Sequence, residues 1–208
     1  MDAAARLIPP RLPLATLLIC GVAGAVMALP RLQSGLIYSR DAIGAGETWR
    51  LVTGNLVHLS PSHLFCDVVP FLVFGTLLER RHAARFALLC LVSAALIGVS
   101  VYALEPEILV FGGLSGVVTA AVTSFCLHGL GEPGARRWIY AVGLLCLLMK
   151  IAVELASGSS FLLAAGPGED FVPVPLSHAV GAVAAFILFA LGKRLQASAT
   201  PPSLPCGG

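Results

Sequence analysis

The 208 residues are 57% hydrophobic and 12% charged, with a net charge of +2 and a mean hydropathy of +0.91. Soluble domains carry about 25% charged and about 45–50% apolar residues, so this composition excludes a water-soluble globular chain and points to one polytopic, all-α membrane domain. The net charge of +2 says nothing about nucleic acid, but there is no basic patch interleaved with aromatics, so no nucleic-acid partner is expected and the lipid bilayer is.

Apolar runs predict six spans, at 14–29, 63–78, 86–104, 115–130, 138–155 and 175–191. Each approaches the roughly 20 residues that cross a hydrocarbon core. The first follows Arg6 and Arg11 and has small residues at Val26-Met27-Ala28, as a signal peptide would. It is read as an uncleaved span, with residues 1–13 as a cytoplasmic N-terminus. The connection 30–62 is rich in Gly, Ser and Arg, and a segment of that length without a span of its own is usually functional. Residues 79–85 are read as a basic loop joining spans two and three. The membrane domain is placed at 14–194, and 195–208, with its prolines, as a disordered cytoplasmic tail.

Cytoplasmic loops accumulate Lys and Arg. Nine of the thirteen such residues fall before span one or after spans two, four and six. Both termini are therefore cytoplasmic, and spans two, four and six run from outside to inside. The six cysteines show no C-x-x-C, and five of them (Cys20, Cys66, Cys90, Cys126 and Cys146) lie in apolar runs, where a small hydrophobe is the ordinary role. No disulfide framework, metal or cofactor is expected.

Three polar residues then fall together. His63 opens span two, Ser115 opens span four and His178 opens span six, all at the extracytoplasmic ends of their helices. From Ser115 to Leu130 is about 24 Å of helix, and from His178 to Leu191 about 21 Å. Both fall short of the roughly 30 Å core, so a recessed, water-filled site is expected. Gly112 and Gly113 precede the serine and can turn amides toward a reacting oxygen. Gly116 with Ala120, and Gly181 with Ala185, repeat a small-xxx-small spacing that lets membrane helices approach closely. A serine hydroxyl is a weak nucleophile without a neighbouring base, and this pattern sets Ser115 beside His178. Lys150 and Glu154, four apart in span five, are read as a mutually neutralising pair. The H-x4-H spacing of His58 and His63 is not that of an H-E-x2-H zinc site.

These residues resemble the rhomboid family of intramembrane serine proteases. The resemblance runs from Glu47 to the end of span six. It rests on E-T-W-R at 47–50, H-x4-H at His58 and His63, G-x3-E at Gly75 and Glu79, G-L-S-G at 113–116, and H-x2-G at His178 and Gly181. It implies a six-helix rhomboid-like bundle in a bacterial inner membrane. It also implies a Ser115–His178 dyad that cleaves transmembrane protein substrates, with His63 and an amide of Gly113 supporting the oxyanion. The short form and the run W-R-L-V-T-G-N-L-V-H look most like the rhombosortase branch, thought to process C-terminal Gly-Gly sorting tails of exported proteins. One departure is Asp67, where many rhomboids carry an asparagine. A carboxylate there opposes a developing negative charge unless it is protonated through burial, pairs with His63 or points elsewhere. Pairing with His63, four residues back on the same helix face, is the expectation. Two rival readings are a rhomboid-like pseudoprotease that binds membrane clients and a small transporter. The first needs neither Ser115 nor His178, and the second expects an internal repeat that the two halves do not show.

Overall fold

Proline sets the first change of direction. In the computed structural model, which describes residues 12–158 and 174–199, α1 (Leu14–Ala28) ends at Leu29, whose φ of −122° and ψ of 94° are extended. A residue before proline is pushed out of the helical region. Pro30 then opens α2 (Pro30–Leu36), bent 112° from α1.

The connection 30–62 is structured throughout. After α2 come β1 (Tyr38–Ser39), α3 (Arg40–Gly44), α4 (Arg50–Thr53) and a 3-10 turn at Gly54–Leu56. Arginines pin it by bonding to carbonyls. Arg50 Nε meets Glu47 Oε2 at 2.6 Å, and its Nη1 donates to Ser34 O and Ile37 O, each at 2.8 Å. Arg40 donates to the carbonyls of Val101, Tyr102 and Glu105, at the C-terminal end of α5.

Helix α5 (Pro61–Leu104) is 44 residues long, with Ser60 as N-cap accepting from the His63 N–H at 3.2 Å. A straight helix of that length would reach about 66 Å, roughly twice a hydrocarbon core. It is interrupted at His82, at φ −153° and ψ 83°, so two arms flank one non-helical residue. The loop expected over 79–85 is therefore a correction: Arg80, Arg81, Ala83 and Ala84 are strong helix formers and stay helical on either side of the break.

The first arm of α5 also starts α1. Glu79 is buried, and its carboxylate accepts from the Ala15 and Thr16 N–H groups at 2.8 Å each and from Thr16 Oγ1 at 2.7 Å. These are amides that no helix can satisfy internally. Gly75, one turn earlier, leaves the space: a Cβ there would lie 2.9 Å from Thr16 Oγ1 and 3.0 Å from Phe86 Cζ. The G-x3-E motif thus docks and caps α1.

After β2 (Val110–Phe111), which pairs antiparallel with β1 so that Tyr38 faces Phe111, the chain enters α6 (Ser115–Gly129). Then follow α7 (Arg136–Ser157) and α8 (Pro175–Ala199). Helix α6 is the hub: every residue from Gly116 to Ala121 is buried, against α5 and α8. By contrast α7 turns Trp138, Ile139, Leu145 and Met149 outward, an apolar exterior suited to lipid. Helices α5, α7 and α8 are long and apolar enough to cross a membrane, and the bent pair of α1 and α2 makes a fourth candidate. Against six predicted spans the lengths give three to four, because 63–78 and 86–104 share one bent helix and α6 has only 15 residues. The domain boundary drawn at 194 falls inside α8, which continues to Ala199; residues 1–11 and 200–208, read as terminal segments, lie outside the described residues. Among the described residues the cysteines are free thiols.

Candidate active site

Ser115 is the first residue of α6, so its N–H has no acceptor within the helix. The turn before it is shaped by sterics. Gly113 has φ +137°, and a Cβ there would lie 2.7 Å from His63 Nε2; a Cβ on Gly112 would lie 2.7 Å from Val57 O. Only glycine lets this turn lie flat between the imidazole of α5 and the strand-like backbone after the 3-10 turn. The Gly113 N–H points to Gly54 O at 3.4 Å. The amide expected to face a reacting oxygen is thus directed into the connection instead, and what Gly113 provides is room for His63.

His178 sits in the first turn of α8 and is 7% exposed. Its helix meets α6 backbone to backbone. A Cβ on Gly116 would lie 2.8 Å from Ser177 O, and one on Gly181 would collide with Gly116 O. The neighbour of the serine therefore touches the neighbour of the histidine, at the crossing where small residues were expected. The depth argument needs correction for α8. From His178 to Ala199 is about 33 Å of helix, longer than the roughly 30 Å core, so the length argument for a recessed site does not extend to His178.

A third helix reaches this crossing. Glu154 of α7 is fully buried, and its Oε2 lies 2.7 Å from His178 Nδ1 and 2.8 Å from Lys150 Nζ. Lys150 Nζ is 3.3 Å from the same ring nitrogen. The i, i+4 pair read from the sequence is present, but it faces the imidazole. That link spans α7 and α8 and left no local spacing to read.

Asp67 lies where His58, His63 and the serine turn meet. Its Oδ2 accepts from the Leu114 N–H at 2.8 Å, contacts His58 Nε2 at 3.1 Å and lies 3.4 Å from His63 Nε2. The expected partner, His63, is thus the most distant of the three. The carboxylate serves mainly to fix the residue before Ser115 and the buried His58 ring, which stands edge-on to His63 with centroids 4.9 Å apart. The ligand atoms of His58, His63 and Asp67 lie within 4.8 Å of one another, a span a metal ion could bridge. The Leu114 N–H already donates to the Asp67 oxygen, and His58 Nε2, 3.1 Å away, adds a second hydrogen bond in the tautomer that carries its proton there. A separate open cleft of about 860 Å³, lined by Leu12, Glu79, Arg80, Arg81 and Arg85 among others, lies at the His82 end of the first arm. That is about 28 Å of helix away from His63.

Comparison with known proteins matches residues 45–194 to the rhomboid domain. The chain belongs to the rhomboid family. The rhomboid domain so bounded contains every residue of the constellation just described. Over 78 residues the chain is 37% identical to the rhomboid protease GlpG of Haemophilus influenzae, a match covering 36% of this chain and 39% of that protein. The chain thus matches well under half the length of this relative. Among the rhomboid-domain residues, Glu154, Lys150, His58 and the Leu114 amide are contributors that sequence reasoning did not place at the site.

Proposed function

We propose that this rhomboid-family chain is an intramembrane serine protease in which Ser115 is the nucleophile and His178 its base. The observation that carries this reading is the backbone contact of α6 with α8 at Gly116, Ser177 and Gly181, immediately beside both residues. His178 accepts the proton of Ser115 Oγ as that oxygen bonds to the scissile carbonyl carbon. The Ser115 N–H and the His63 side chain stabilise the oxyanion, and Gly113 and Asp67 support them through the turn. Collapse of the tetrahedral intermediate breaks the C–N bond, and His178 returns the proton to the leaving amine. Water then hydrolyses the acyl-enzyme by the same base.

In this reading the two arms of α5 are separate crossings, so that α1, both arms, α6, α7 and α8 form the six-helix bundle. The Lys and Arg distribution puts both termini in the cytoplasm and Ser115 toward the outer face. Substrates are membrane-anchored proteins whose segments unwind near that face. The W-R-L-V-T-G-N-L-V-H run favours C-terminal sorting tails of exported proteins. The test is a comparison of secreted and membrane proteomes from cells with the wild-type chain or its Ser115→Ala variant. A set of anchored proteins should lose its shortened forms in the variant. Identical termini in both strains refute cleavage and favour a client-binding role.

A further inference from the structure

We infer that Glu154 is the positioning acid of this site, fixing the His178 imidazole and turning the serine–histidine pair into a triad. The inference rests on Ser115 and His178 being the reactive pair. A carboxylate only accepts and an ammonium only donates. Glu154 Oε2, at 2.7 Å, therefore requires a proton on His178 Nδ1, whereas Lys150 Nζ, at 3.3 Å, would require a lone pair there. The shorter contact decides. Nδ1 carries the proton, and Nε2 of the neutral ring is left with the lone pair that a general base needs. When the ring takes up the serine proton, the carboxylate faces a full positive charge.

Burial explains the lysine. A carboxylate with no solvent exposure, on an apolar helix, is strongly destabilising unless compensated. Lys150, one turn back on α7 and 2.8 Å away, supplies the counter-charge, with its side chain 22% exposed. The pair so formed is nearly neutral, and of its two ends the carboxylate, at 2.7 Å, lies closer to the ring than the ammonium, at 3.3 Å. A pair serving only the packing of α7 could point anywhere in the bundle; this one ends on His178 in the first turn of α8.

The test uses the full-length protein in detergent and a fluorophosphonate that reacts with an activated serine, so that no natural substrate is needed. Glu154→Gln keeps an acceptor oxygen but loses the charge, and labelling should slow by about 100-fold or more. Glu154→Asp keeps the charge on a shorter arm and should recover part of the rate. The double variant Lys150→Met/Glu154→Gln removes both charges, which should restore thermal stability without restoring labelling. A downfield Nδ1 proton of His178 should persist in Ser115→Ala and vanish in Glu154→Gln. Wild-type labelling by the double variant, with Ser115→Ala silent, overturns the inference while leaving the protease reading intact. Failure of the wild type itself to label overturns both. If Glu154→Gln does not fold, the double variant and Glu154→Asp decide the matter.

Discussion

Replacing Gly181 with alanine should separate the two helices on which the chemistry depends. The added methyl would lie 3.0 Å from the Gly116 carbonyl carbon, closer still to its oxygen, and 3.4 Å from the Ala120 nitrogen. All three are backbone atoms, so no side chain can swing aside to make room. Helices α6 and α8 must part by roughly 1 Å, an overpacking that costs about 1–3 kcal/mol. Misplacement on that scale costs about 100-fold in rate. Gly192, further along α8, is the control. Nothing lies within 4 Å of a Cβ there, and alanine gains up to about 1 kcal/mol of helix propensity. Fluorophosphonate labelling rate and thermal unfolding should be measured for both variants in detergent. Gly181→Ala should melt lower and label slowly, whereas Gly192→Ala should melt no lower and label normally. If Gly181→Ala labels and melts like the wild type, the close crossing does not set the geometry of the site.

Asp67→Asn keeps an oxygen for the Leu114 N–H and should label within a few-fold of wild type. Asp67→Ala leaves that buried amide unpaired, at about 1–3 kcal/mol, and should both melt lower and label poorly. Gly113→Ala must hold φ +137° against the His63 ring; a strain of about 1–3 kcal/mol should appear as lower stability together with lost labelling. Glu79→Ala removes the cap of α1 and should cost about 1–2 kcal/mol in thermal stability, while the folded fraction labels at the normal rate.

What the sequence made legible followed from local periodicity. Ser115, His178 and the small residues beside them could be singled out because helical spacing and span ends are short-range patterns, and the close α6–α8 crossing is where those small residues lie. The contacts that hold the fold together were less visible because they link distant elements. Glu79 meets Thr16 across 63 residues, and Arg40 reaches Val101 across 61. Neither leaves a periodic trace. Asp67 was matched to His63 because i, i+4 partners are easy to read, whereas its shorter contacts come from His58 and the Leu114 amide. Lys150 already accounted for Glu154 in the same way, so its bond to His178 went unseen. At His82 the basic run suggested a loop, but propensity kept the helix going and confined the break to one residue.

The central claim is that Ser115 is a nucleophile activated by His178. Rates of fluorophosphonate labelling for the wild type and for Ser115→Ala and His178→Ala, each shown to be folded by thermal unfolding, test it most directly. The account predicts covalent labelling of the wild type at Ser115, none for Ser115→Ala, and a large loss for His178→Ala. A folded wild type that stays unlabelled, or a His178→Ala variant that labels as fast as the wild type, contradicts it.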